Sequence, residues 1–253
     1  MHPVTRASLP ALLAGRRPAG HVIDCVGLTG NFRSRPLDTA EAHVGLVARC
    51  LGELSFLLLS STRVYGRATT THEDAALPTL PSEPSDLYNV TKLAGEALCL
   101  ADPRQTTRVA RLSNVYGVGM PAETFLGQVL REGSATGNVL LREAAESAKD
   151  YVSVAAVVRL LPAIATAGGY RTYNLAAGSN TSHAAIARCL RNIAAWRIGF
   201  TPDAPTVRYP PIDTTRLDTE FWSTGSNLAA DLPTLLTLAQ ECQCSPSTRH
   251  VAA

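Results

Sequence analysis

What this 253-residue chain has little of narrows its function before any motif is read. Lysine and arginine total 23 against 21 aspartates and glutamates, so the net charge of +2 supplies no basic field for a nucleic acid. The pair Arg16-Arg17 is too short to act as a phosphate-binding patch. No apolar stretch approaches the roughly 20 residues that span a bilayer. The run at 9–14 is short and broken by Pro10, unlike a secretory leader. A cytoplasmic protein with neither a membrane nor a nucleic-acid partner is expected. The six histidines show no metal-ligand spacing, and no metal is expected. Cys25, Cys50, Cys99 and Cys189 stand alone in apolar segments and read as buried small side chains. Cys242-Gln-Cys244 is not a Cys-x-x-Cys pair and lies in a polar tail, where surface thiols are expected. A glycine-rich phosphate loop is also missing upstream of residue 60, because Gly15, Gly20, Gly27 and Gly30 have the wrong spacing for one.

What is present alternates. Val22–Val26 reads as a strand, and residues 39–54 as a helix with Ala42, Leu46, Val47 and Leu51 at helical spacing. Residues 56–60 read as a strand, 67–86 as a long Thr/Pro-rich loop over the site, 87–100 as a helix and 108–112 as a strand. Such alternation predicts a parallel, doubly wound α/β sheet. After Gly117, helix is expected at 123–131, 154–167 and 182–196, and extended chain at 138–142, 151–154, 173–175 and 206–209. Residues 245–253 read as disordered, and prolines 202, 205, 210 and 211 mark loops.

The chemistry is concentrated in two blocks. Ser60-Ser61-Thr62-Arg63-Val64-Tyr65-Gly66 follows an apolar strand, and ligands of open α/β sheets bind at the carboxyl ends of strands. Pro84-Ser85-Asp86 then reads as a helix start, with Ser85 or Asp86 as cap. In that helix Tyr88 and Lys92 are four residues apart and share a face. A phenol with a pKa near 10 is a poor base at neutral pH. A neighbouring ammonium favours its phenolate, and a serine hydroxyl can hold the substrate oxygen whose proton is exchanged. Bland readings stand beside these. Ser61 can cap the strand end, Tyr88 and Lys92 can be a surface pair, and Ser60 can be a structural hydrogen-bonder. Asn114 can be a turn residue, Tyr65 packing, and Asp24 a locally hydrogen-bonded carboxylate.

Four blocks in order resemble the extended short-chain dehydrogenase/reductases, specifically their nucleotide-sugar epimerases and dehydratases. They are Ser60–Gly66, Tyr88-Asn-Val-Thr-Lys92 with Leu93-Ala-Gly-Glu96, Arg111-Leu-Ser-Asn-Val-Tyr-Gly117, and Lys149-Asp-Tyr-Val-Ser-Val154. The resemblance covers residues from about 20 to about 235. It implies Ser61, Tyr88 and Lys92 as catalytic residues, with NAD or NADP as cofactor. Cofactor contacts fall on Lys92, Tyr88, Gly27, Leu28 and Ser60, and contacts to a nucleotide-sugar substrate on Thr62, Asn114 and Lys149. It also implies a homodimer. Lys149 replaces a common arginine, keeping the charge but losing the bidentate fork. Thr62 and Arg63 stand where 4,6-dehydratases carry acidic residues, which favours an epimerase or reductase.

The same resemblance places Val22–Val26 at the family's fourth strand. It therefore implies an N-terminally truncated Rossmann-like parallel sheet with a small C-terminal substrate lobe, and an exposed apolar strand edge. Residues 1–117, with 148–178 returning, are expected in the partial dinucleotide-binding domain. Residues 118–147 and 179–240 make the lobe, and 241–253 a disordered tail. Three accounts of the missing segment stay open: a start site further upstream, a decayed remnant, or a second polypeptide or second copy that completes the sheet. The alternative to an enzyme is a non-catalytic remnant or a binding or scaffold protein without its own cofactor site.

Overall fold

The structure, a computed structural model, describes residues 3, 5, 20–27, 31–50 and 54–244, with the side chains of 241–244 left out. Leu28, most of the segment before residue 20 and the tail from 245 lie outside the described residues.

Four short strands build the central sheet: β1 (His21–Asp24), β2 (Ser55–Ser61), β3 (Thr107–Leu112) and β7 (Thr172–Leu175), all parallel and in that spatial order. The alternation along β2 assigns its two faces. Phe56 and Leu58 pack with Val109 beneath the first helices, whereas Leu57 packs with Ala110 beneath a later one. The first helical layer is α1 (Pro36–Ala40), a π-helical turn (Glu41–Gly45) and α2 (Leu46–Cys50), followed by α3 (Asp86–Ala101). On the other face lies α5 (Val154–Ala167), through Leu160, Leu161 and Ile164. Among the described residues β1 pairs on one side only, and its Val22 and Ile23 are half-buried rather than exposed.

Between and after these elements the chain builds a second body. It comprises β4 (Asn114–Tyr116), α4 (Phe125–Thr136), β5 (Asn138–Leu141), β6 (Ala148–Ser153) and β8 (Asn180–Ser182). It continues with α6 (His183–Ala194), β9 (Arg197–Phe200) and α8 (Leu228–Cys244), whereas α7 (Thr215–Phe221) returns to the central sheet and packs through Leu217 with Leu57 and Leu175. Its core joins Leu130, Leu141, Tyr151, Leu190, Trp196 and Leu232. Gly133 makes the Trp196 contact: a Cβ there would lie 2.1 Å from the indole.

Several expectations need correction. Residues 241–244, assigned to a disordered tail, continue α8. Strand β9 and helices α7 and α8 were not anticipated, while the segment at 206–209 contributes only an isolated bridge at Arg208. Neither Ser85 nor Asp86 caps α3. The Asp86 carboxylate instead accepts the Leu80 N–H at 2.8 Å and pairs with Arg67 at 3.2 Å, which fastens the long loop to the helix. Cys25 is exposed and Cys189 half-exposed rather than buried. No helix among the described residues is long and apolar enough to cross a membrane.

Candidate active site

Strand β2 ends in extended backbone at Ser61, and the chain then tightens into a 3-10 turn, Thr62–Tyr65. Ser61 Oγ accepts the Arg63 N–H at 3.2 Å, so this hydroxyl does cap the strand end while also facing the cleft. Against this end comes α3. Its close approach depends on Gly95, where a Cβ would sit 2.3 Å from the carbonyl oxygen of His43 in the π-helical turn. That approach sets Tyr88 among other rings. Phe32 lies at 5.6 Å and His43 edge-on at 5.2 Å, while the Arg63 Cζ stands 5.3 Å from the Tyr88 ring centroid. Tyr88 is buried at 7 % exposure. Burial raises its pKa, and the Ser61 hydroxyl and the Arg63 guanidinium oppose that rise.

One turn further along α3, Lys92 is 4 % exposed and its Nζ donates to the Leu59 carbonyl at 2.8 Å. Burial lowers its pKa to about 8, against the pull of Asp24, Glu96 and Cys25. Asp24 ends β1. One of its oxygens accepts the Val26 N–H at 2.9 Å, the local bond expected from the sequence, but its Oδ2 is buried without a hydrogen-bond partner. Burial raises its pKa. Ser60 Oγ is likewise buried and unbonded, so the reading of Ser60 as a structural hydrogen-bonder does not hold. Gly27 borders the same spot: a Cβ there would lie 3.6 Å from both Lys92 Nζ and His43 Nε2.

The other side of Tyr88 opens into a cleft of about 250 Å³. Ser61, Thr62, Tyr88, Asn114 and Lys149, all expected from the sequence, line it together. Arg63, Asp150, Asn180 and Tyr209 line it as well and were not anticipated as site residues. Here most polar groups already have partners. Asn114 Nδ2 donates to the Asp150 carbonyl at 2.8 Å, and Lys149 Nζ pairs with Glu143 at 3.1 Å while lying 5.2 Å from the Phe125 ring centroid. The Asp150 carboxylate accepts the N–H groups of Ala177 and Ser179 at 2.9 and 3.1 Å. Asn180 Nδ2 donates to the Tyr209 carbonyl at 2.7 Å. Arg63 and Asp150 sit inside the recognised blocks, so the sequence held a signal for them. Asn180 and Tyr209 gave none. No group of metal-ligating side chains exists among the described residues.

The arrangement is a buried phenol and a hydroxyl at a strand end, with a cleft on one side and a buried ammonium on the other. Comparison with known proteins gives the family of the chain. The model of the NAD dependent epimerase/dehydratase family matches residues 5–176, and the chain belongs to that family. Among solved structures, RMD from Pseudomonas aeruginosa complexed with NADPH is similar at 22 % identity and a TM-score of 0.75, over 87 % of this chain and 81 % of that one. UDP-glucose 4-epimerase from Thermotoga maritima with UDP-glucose gives 19 % identity and 0.72, over 92 % and 80 %. The dTDP-glucose 4,6-dehydratase of Bacillus anthracis in complex with NAD gives 16 % and 0.73, over 93 % and 77 %. At these identities the likeness shows the shared Rossmann-like fold. No curated protein matches the chain.

Proposed function

We propose that this protein is an NAD(P)-dependent epimerase or reductase that oxidises a hydroxyl of a nucleotide-activated sugar to a ketone. The observation that carries this reading is the division of α3. Tyr88 faces the cleft with Ser61, and Lys92 lies behind it among buried polar atoms that lack partners. The residues present fit a dinucleotide on that rear side. Lys92 Nζ uses one donor on Leu59, Ser60 Oγ and Asp24 Oδ2 make no hydrogen bond, and Gly27 leaves open the space a side chain would fill. Lys92, Ser60 and Gly27 would hold the nicotinamide ribose there. A bound NAD or NADP supplies the hydride acceptor that turns the substrate carbinol into a ketone.

This chain's own residues manage the proton. Ser61 hydrogen-bonds the substrate hydroxyl and orients it toward the Tyr88 oxygen. Tyr88, as phenolate, takes the proton and returns it in the reverse step. Thr62, Asn114 and Lys149 position the nucleotide diphosphate along the cleft, with Lys149 as a point charge rather than a fork. Thr62 and Arg63 follow Ser61 and carry no carboxylate, so the site lacks, at those positions, the acid that a 4,6-dehydratase uses to expel water. That favours epimerisation or reduction.

The test incubates the chain with NAD or NADP and a panel of nucleotide sugars, following product epimers by NMR and nicotinamide absorbance. One sugar is expected to turn over, and Tyr88→Phe is expected to lower that rate by about 10²–10⁴-fold. Equal turnover by Tyr88→Phe would sink the assignment.

A further inference from the structure

Alternation along the central strands sorts their side chains onto two faces. Phe56 and Leu58 lie on the face that α3 covers, so Ser60, two residues further on, shares it. The register of β1 against β2 sets Val22 beside Phe56 and Asp24 beside Leu58. Val22 packs with Phe56 and Leu58, which places Asp24 on that face too. The ends of β1 and β2 thus bring a carboxylate and a hydroxyl under α3, and Lys92 reaches the same corner. Its Nζ donates at 2.8 Å to the carbonyl of Leu59, the residue between Leu58 and Ser60. It would also lie 3.6 Å from a Cβ at Gly27. The Asp24 carboxylate is folded toward Gly27 by the Val26 N–H, which its Oδ1 accepts at 2.9 Å. The charges of Asp24 and Lys92 pull on each other, yet no hydrogen bond joins them. Asp24 Oδ2 and Ser60 Oγ are buried without a partner, on residues 8 % and 5 % exposed.

The other titratable groups of this corner are engaged differently. Glu96, one turn along α3, is held by Arg111 from β3. His43, from the π-helical turn, bonds Thr91 through Nδ1 at 2.8 Å. Cys25 turns its thiol to the Ile23 carbonyl at 3.9 Å, and Cys99 is packed among apolar side chains. What remains is an ammonium with donors to spare, a carboxylate oxygen with no donor, and a hydroxyl that can serve either way. Two neighbouring sugar hydroxyls complete such a set: one accepts an N–H from Lys92 while its own O–H donates to the carboxylate. We propose that Asp24 joins Lys92 and Ser60 as a cofactor-binding residue, acting as the counter-charge of Lys92 and accepting a hydroxyl of the nicotinamide ribose through Oδ2. The proposal deepens the oxidoreductase reading above and rests on it for the identity of the sugar. It also gives the buried, unbonded oxygen a use that sets off the cost of keeping it from water.

Two titrations of the full chain test it. The first needs no cofactor: lysine is labelled with carbon-13 at Cε, and the Lys92 resonance is identified by its loss in Lys92→Met. Asp24→Asn keeps an oxygen for the Val26 N–H and is expected to lower the Lys92 midpoint from about 8 by about 1 pH unit. The second follows the fluorescence of NADH. Asp24→Asn should weaken NADH binding about tenfold, the loss of a hydrogen bond to a charged acceptor. It should leave unchanged the weaker binding of an NADH analogue that lacks both hydroxyls of the nicotinamide ribose. Asp24→Ala serves with the same expectations if Asp24→Asn does not fold. The proposal is overturned if these variants leave the Lys92 midpoint in place. It is also overturned if they leave NADH binding unchanged, or weaken NADH and the dideoxy analogue by the same factor. A wild type that binds no NADH would strike the hydroxyl contact and the cofactor reading together, whereas the Lys92 midpoint would still decide the counter-charge.

Discussion

Helix α3 carries two buried charges one turn apart, Lys92 and Glu96, and the chain treats them in opposite ways. Glu96 is 2 % exposed and meets Arg111 through Nε and Nη2, the latter at 2.6 Å. Arg111 also donates to the Tyr65 hydroxyl at 2.7 Å and to the Glu73 carbonyl at 3.0 Å. Tyr65 in turn donates to Asn174, whose amide reaches Thr71 and Asp213. This network stitches the long loop and the last sheet strand to α3. Lys92, equally deep, has one backbone carbonyl, and the nearby Asp24 Oδ2 and Ser60 Oγ make no hydrogen bond. A buried charge with a full set of partners holds structure, whereas one left short of partners keeps donors for a ligand at a standing cost in stability.

The comparison breaks first at the paired end. Arg111→Met strands Glu96 in the core and is expected to cost about 3–5 kcal/mol in chemical denaturation. A loss near zero would mean that the network is not structural. The approach of α3 to the π-helical turn is tested by Gly95→Ala, which drives a methyl onto the His43 carbonyl and should cost about 1–3 kcal/mol. The smallest effect is a pH dependence at the unpaired end. With Lys92 depressed to about 8 from 10.5, the unfolded chain binds the extra proton between those values. Stability should therefore rise with pH across that window by at most about 1.4 kcal/mol per pH unit from this group. Lys92→Met should remove that component, seen as a flatter stability–pH curve than wild type, with no loss of stability at neutral pH.

Much of this was legible beforehand, and the misses have physical causes. Strand β2 announces itself by an apolar run and helix α3 by helical spacing, because a strand buried on both faces leaves little other choice of residue. The hydroxyl, phenol and lysine could be read because their spacing is local. The place of Arg63 over the Phe32 ring could not, since Phe32 reaches it from a segment 31 residues away. Asp86 looked like a helix cap and proved to be the clasp of the loop before it, a choice decided by the Leu80 N–H rather than by the helix. Helix α8 was hidden by Pro233, which falls where the turn of a helix tolerates it poorly.

The most direct measurement is a fluorescence titration of the 253-residue chain and of its Lys92→Met variant with NADH and NADPH. Saturable binding by wild type, weakened at least tenfold by Lys92→Met, is the expected result if Lys92 and the buried polar atoms beside it form a cofactor seat. A folded wild type that binds neither nucleotide, or a Lys92→Met variant that binds as tightly, would contradict it.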